Sequence, residues 1–420
     1  MRERIWVIFP SIFEKKGFEK WSRRNPDAQV EFKEFQGSRN PWTRSIIKTC
    51  DEWVEEARRL NPPVTAVLSF QDYPGCLAAS YIADRLGLPG PRLPDLLKLS
   101  HKRLSRELQK KICPEFTPGF SKMIEGSGPS AFAFPFFAKP VKGLLSVRSK
   151  KIEQQADLEA YQRLTIRERF LFRFLMRPFH EFAANAGLKV SAREFIAESW
   201  VPGIQCTFEG YVTQTQAHPI GITDSHFYDG TESFSEFRFP SSLPRAVQKQ
   251  ISEASLKLAF ESGLRSTLFN IEWRFDPKTQ QLKIIEVNPR GASQFSDLYD
   301  SVLGVNSIDV AVALASGKDP KLPDTKKLQK IASSLVFRLF QDAKVKKGLG
   351  ESDWDELSNL PGWIEGYPLY EEGKRLSRLP QDPDSFRYLA IHASFDQEPE
   401  IPAFRKALEE EWKKRIQFET

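Results

Sequence analysis

Residues Phe269–Gly291 read FNIEWRFDPKTQQLKIIEVNPRG. Phe269–Phe275 and Leu282–Val287 are rich in branched and aromatic residues and flank the polar stretch Asp276–Gln281, a hairpin signal. Strand alternation puts Glu286 and Asn288 on one face. A ladder symmetric about Thr279 sets Glu272 opposite Glu286, with β-carbons about 5 Å apart. Two carboxylates that close repel by roughly 3 kcal/mol at an effective dielectric near 20. A cation relieves that repulsion, and two carboxylates with one amide oxygen make a hard oxygen set suited to Mg²⁺. Arg290 follows at once, a rigid fork of donors for phosphate or carboxylate. The competing reading is an exposed hairpin whose acids pair with Arg274 and Lys283.

The chain has 420 residues, enough for two or three domains. Its 40% hydrophobic and 12% aromatic content supports large cores, so a globular protein is expected. No stretch approaches the ~20 apolar residues that cross a bilayer. The opening MRERIWVIFPSIF is interrupted by Pro10 and followed by Glu14-Lys15-Lys16, which reads as a first strand rather than a leader. Cys50, Cys76, Cys113 and Cys206 lack the paired spacing of a zinc site or disulfide framework. Reduced, buried thiols and a cytoplasmic location are expected. A net charge of +6, with bases and acids intermixed, favours small anionic ligands over nucleic acid.

Along the chain, residues 1–98 alternate strands and helices: Ile5–Phe9, Phe13–Arg23, Val30–Phe35, Ile46–Leu60, Val64–Phe70 and Cys76–Leu86. That order implies a parallel sheet, and no GxGxxG follows the first strand. Ser100 is expected to cap a helix carrying Lys102, Arg106 and Lys110. Lys139 ends an apolar strand, Lys150–Leu164 reads as a helix, and Glu168–Ala186 as a longer one. The strand Glu194–Glu198 leads into Trp200-Val-Pro-Gly203, then comes the strand Gln205–Gln214. His218–Leu243 reads as loop-rich, and its Asp224, His226, Glu236 and Arg238, with Gly291–Tyr299, are expected on the substrate side. Pro244–Ser262 and Asp297–Gly317 are helical. Beyond 331 two strands (Ile331–Phe340, Phe386–Phe395) precede a closing helix, Ala403–Gln417, with Phe404, Leu408 and Trp412 on one stripe.

Three features stand in order: Lys139 before a short loop with Gly143 and Ser146, Glu198 turning through Pro-Gly to Gln205, and the Glu272…Glu286-x-Asn288-x-Arg290 hairpin. Together they resemble the ATP-grasp superfamily, in particular its carboxylate–amine ligases, over about Leu99–Gly317. The resemblance implies an N-terminal parallel-sheet α/β domain (1–98), a two-lobed ATP-grasp core and a C-terminal α+β extension (331–420). The core would comprise a small lobe with a phosphate flap (99–197) and a large lobe with the metal site (198–330). It implies ATP with Mg²⁺, or Mn²⁺ in its place, held by Glu272, Glu286 and Asn288. Lys139 and Lys102 would reach the phosphates, Lys142–Arg148 would form the flap, and Arg290 would face the transferred phosphoryl group. Glu198 would accept from the adenine amino group, the Ser199–Val201 backbone would read the adenine edge, and Gln205 would meet the ribose. Two positions depart from the family pattern: Gln205 is neutral where a Glu is usual, and the flap has one glycine. The implied activity is ATP-dependent joining of a carboxylate to an amine through an acyl phosphate. The alternatives are a carboxylase or carboxylate kinase, or an ATP-binding module without turnover. Small-molecule carboxylate and amine partners are implied, without nucleic acid or membrane, and a homodimer is left open.

Overall fold

The computed structural model describes residues 3–35, 44–123, 132–143, 148–163, 165–191, 193–323, 330–379, 381–382, 385–412 and 414–419. The first unit is a three-stranded parallel sheet in the order β2-β1-β3, built from β1 (Arg4–Ile8), β2 (Gln29–Lys33) and β3 (Ala66–Leu68). All five residues of β1 are buried, as befits the centre of a parallel sheet. Helix Ile12–Arg24 follows and starts at a capping box: Ser11 accepts from Phe13 N–H while Glu14 accepts from Ser11 N–H at 2.6 Å. Helices Ile46–Arg59 and Gly75–Arg85 complete this unit.

Ser100 does not cap the next helix as expected. It closes a helix, Leu93–Ser100, and the His101 ring caps Lys102–Ile112 by accepting from Leu104 N–H at 3.4 Å.

The second sheet is small, antiparallel and ordered β4-β7-β5-β6, from β4 (Phe120–Met123), β5 (Phe136–Pro140), β6 (Lys150–Ile152) and β7 (Phe195–Ser199). Met123, Phe136, Ala138, Ile152 and Phe195 form its core. Lys150–Ile152 is thus a strand, not the start of a helix, because Ile152 fills that core and the edge of β5 takes a partner. The helix follows at Gln155–Gln162. The long helix expected over Glu168–Ala186 is two, Ile166–Leu175 and Arg177–Asn185. Pro178 lacks an N–H and starts a new helix rather than continuing one.

The third sheet has eight antiparallel strands in the order β12-β11-β8-β9-β10-β13-β16-β15. Its members are β8 (Ile204–Val212), β9 (Ala217–Phe227), β10 (Phe234–Phe239), β11 (Thr267–Asp276), β12 (Gln281–Asn288), β13 (Ile331–Leu339), β15 (Trp363–Pro368) and β16 (Phe386–Phe395). Outside it, β14 (Lys344–Lys347) pairs with β17 (Gln417–Glu419). The stretch expected as loop-rich therefore contains two strands. Pro219 is tolerated in β9 because it faces Gly210 where the β8–β9 ladder is irregular. Residues after 331 extend the same sheet that carries the Glu272–Glu286 hairpin. Helix Glu400–Trp412 covers them, with Leu408 and Trp412 in a core with Phe337 and Ile391. The four cysteines are buried and free. Among the described residues no single helix is long and apolar enough to cross a membrane.

Candidate nucleotide and metal site

The hairpin β11–β12 pairs Glu272 with Glu286 and Asn270 with Asn288. Its tip is centred one half-residue earlier than expected, since Asp276 faces Gln281. A regular ladder from that tip would turn Glu286 away from Glu272. Ile285 is an extra residue between the pairs Trp273–Ile284 and Glu272–Glu286, a β-bulge that restores the facing carboxylates. The bulge also frees the Ile285 carbonyl, which accepts from Arg106 Nη2 at 2.7 Å and from Lys139 Nζ at 3.3 Å.

Opposite this hairpin stand the cations of the small lobe and its preceding helix. Lys102 Nζ lies 2.7 Å from Glu286 Oε1. Lys139, 4% exposed, lies 2.8 Å from Glu198 Oε2, and Arg106 grips Glu198 through Nε (2.7 Å) and Nη2 (3.1 Å). Burial pulls the Lys139 ammonium below its ordinary range. Burial works against ionised Glu198 too, but Arg106 and Lys139 outweigh it and hold the carboxyl near 2. Burial, then the neighbouring Glu286, pushes the Glu272 carboxyl up to about 7. Glu286 moves the other way: burial opposes its charge, but Lys102 and Lys139 win. The exposed-hairpin alternative fails, because Arg274 turns to Glu232 (2.7 Å) and Lys283 to the Glu115 carbonyl (2.7 Å).

Asn288 donates through Nδ2 to Asn270 Oδ1 (2.9 Å) and Glu272 Oε1 (3.3 Å), which leaves its own Oδ1 for another partner. Gln205 Nε2 donates to Glu272 Oε2 at 3.2 Å, and its Oε1 accepts from Arg274 Nε at 3.2 Å. A Glu there would set a third carboxylate against Glu272, so the neutral residue follows from its neighbours. Ser199 ends β7 with its N–H on the Gly119 carbonyl (2.8 Å), and the Val201 carbonyl accepts from Arg274 (3.2 Å). Gly143 follows Lys142 at the base of the expected flap; Ser146 lies outside the described residues.

Three contributors went unassigned from sequence. Arg106 lies one turn beyond Lys102 on the same helix face, a spacing that could have revealed it. Asp72 sits just past β3, at the carboxyl end of the parallel sheet where such folds bind ligands, and pairs with Lys142 at 2.8 Å. Lys142 and then Arg290 outweigh burial and hold Asp72 near 2. Glu209, directly opposite Asn270, is wholly buried.

The register also corrects the expected substrate face. Gln205 faces Ser225, and Ser225 faces Phe237. Thr223, Ser225 and Phe237 therefore share the face of Glu272, while Asp224, His226, Glu236 and Arg238 take the other. There Asp224 accepts from the Ser241 and Ser242 hydroxyls, and Arg238 pairs with Glu236 and Glu398.

A cation fits this donor set. Two facing carboxylates, one driven toward protonation by burial and then by the other, adjoin an amide oxygen with no partner among the described residues. All three are hard oxygen donors, the set Mg²⁺ takes.

A model of the family described as ATP-grasp domain matches residues 132–297. The L-amino acid ligase of Bacillus licheniformis superposes with a TM-score of 0.78 at 17% identity, covering 100% of this chain and 99% of that one. The biotin carboxylase domain of Hydrogenobacter thermophilus 2-oxoglutarate carboxylase, solved with MgADP, ADP and bicarbonate, superposes at 0.66 with 12% identity, covering 99% and 90%. In sequence, carnosine synthase 1 of Gallus gallus is 29% identical over 134 residues, which is 32% of this chain and 14% of that protein. Residues 132–297 thus match an ATP-grasp domain, and the chain has the ATP-grasp fold. The structures it superposes on are an L-amino acid ligase and a biotin carboxylase domain, a likeness of fold.

Proposed function

We propose that this protein is an ATP-dependent ligase that activates a small carboxylate as an acyl phosphate and joins it to an amine. The observation that carries the proposal is the half-buried, bulge-aligned pair Glu272–Glu286 facing Lys102 and Lys139. Two relatives named as an L-amino acid ligase and a synthase support amide-bond formation, and amino acids are the first substrates to test.

Glu272, Glu286 and the Asn288 oxygen would hold Mg²⁺, which when bound neutralises phosphate charge. Lys139 would swing from Glu198 and the Ile285 carbonyl to the phosphates. Arg106, holding the same two acceptors, keeps Glu198 compensated during that exchange. A substrate carboxylate oxygen attacks the γ-phosphorus and ADP leaves. The amine then attacks the acyl carbon, phosphate departs with the former carboxylate oxygen, and the nitrogen loses a proton. Arg290 faces the transferred phosphoryl group, where fixed positive charge serves a reaction that depends mainly on positioning. The Ser199–Val201 backbone would read the adenine edge.

The test is ADP release across pairs of amino acids. Turnover should need both partners, and Glu286→Gln should lower it at least a hundredfold. ADP formed with bicarbonate and no amine would favour a carboxylase instead.

A further inference from the structure

The turn Pro289–Ala292 carries Arg290 away from β12, and its backbone is pinned from several sides. Arg290 N–H donates to the Asn288 carbonyl at 2.8 Å, and Asn270 Nδ2 donates to the Arg290 carbonyl at 3.0 Å. Glu209 Oε2 accepts from Ala292 N–H at 2.9 Å, and Ser307 Oγ donates to Glu209 Oε1 at 3.4 Å. A β-carbon at Gly291 would fall 2.8 Å from Leu268 Cδ1 and 2.9 Å from Phe70 Cε1, so the turn is seated tightly. Yet the buried Arg290 Nε has no hydrogen-bond partner among the described residues. The backbone is fixed while part of the guanidinium stays available.

Glu209 is 0% exposed and makes no salt bridge among the described residues. Burial pushes its carboxyl up to about 8. A neutral acid can accept from the Ala292 amide with one oxygen and share a proton with Ser307 through the other. Burying an acid without a cation is costly, and packing alone does not call for one. Asn270, directly opposite Glu209, also accepts from Asn288, which links the turn to the metal-facing strand.

We propose that Glu209 and Asn270 are positioning residues that hold the Pro289–Ala292 turn so that Arg290 meets the terminal phosphoryl group of the nucleotide. This rests on the nucleotide-site reading above. Calorimetric titration with Mg²⁺ and either a non-hydrolysable ATP analogue or ADP tests it, because only the analogue carries that third phosphoryl group. Glu209→Ala should weaken the analogue about tenfold, the scale of one charge-related hydrogen bond, and change ADP binding less than about twofold. Glu209→Gln, which keeps an acceptor and a donor, should bind both like the parent. Ala292→Pro removes the donated N–H and also draws φ at 292 from −103° toward about −65°. It should therefore weaken the analogue at least as much as Glu209→Ala while sparing ADP, which answers the question should the alanine variant fail to fold. Equal losses for both nucleotides, or none in either variant, would make Glu209 a packing residue and overturn the proposal. A parent protein that binds neither nucleotide would instead overturn the site reading, and this inference with it.

Discussion

Glu272 and Glu286 face each other across one ladder pair, and their environments divide them. Lys102 and Lys139 keep Glu286 charged, while Glu272 is driven up to about 7 by burial and by Glu286. Its carboxyl binds a proton more tightly folded than unfolded. That contribution to stability is complete below about pH 4.5 and is lost as pH rises through about 7. At most it amounts to roughly 3 kcal/mol. In EDTA, urea unfolding should show the parent losing more stability than Glu272→Gln between pH 5 and pH 8. Identical losses would mean the two carboxylates do not interact as described. With Mg²⁺ and nucleotide the difference should shrink, because a cation replaces the proton.

At the scale of elements, the β-bulge at Ile285 aligns the two carboxylates and offers its carbonyl to Arg106 and Lys139 from the other lobe. Deleting Ile285 gives a regular ladder in which Glu286 still faces Glu272, but the shared carbonyl is gone. ATP affinity should fall at least tenfold, measured by calorimetry, while circular dichroism stays that of the parent. Unchanged affinity would show that the bulge serves register alone. The bulge also marks where sequence reading stopped. Glu272, Glu286, Asn288 and Arg290 were legible because they share one hairpin, whose pairing is a local matter. The extra residue was not, since Leu282–Val287 reads as one uninterrupted strand. Strands β9 and β10 were missed because Pro219, Gly221 and the Gly230 turn resemble loop chemistry, and only the neighbouring strands settle their pairing. Arg106 had only its one-turn spacing from Lys102 as a signal, and Asp72 and Glu209 had no local signal of function. They reach the site only through the packing of helix, parallel sheet and β8.

Across the whole molecule, the two ends of the chain close on each other. Lys16 and Lys20 of the first helix pair with Glu365 of β15 at 2.9 and 3.1 Å. Asp297, just beyond the site turn, accepts from His392 of β16 at 2.9 Å and from Tyr367 of β15. Burial opposes the Asp297 charge, but His392 first, then Lys20 and Tyr367, outweigh it and hold the carboxyl low. Strands β13, β15 and β16 are therefore part of the sheet that carries the Glu272–Glu286 hairpin. A chain ending at residue 330 would expose the edge of β10 and strand Asp297 without His392 or Tyr367, an aggregation hazard. It should be insoluble or elute as aggregate in size-exclusion chromatography; a soluble, ATP-binding monomer would contradict this account of the sheet. The claim on which all of this depends is that facing acids on one bulged hairpin hold a nucleotide-bound divalent ion. Anomalous scattering from a crystal soaked with Mn²⁺ and a non-hydrolysable ATP analogue measures it directly. A manganese peak bridging Glu272, Glu286 and the Asn288 oxygen is the predicted result, and nucleotide density with manganese elsewhere would contradict it.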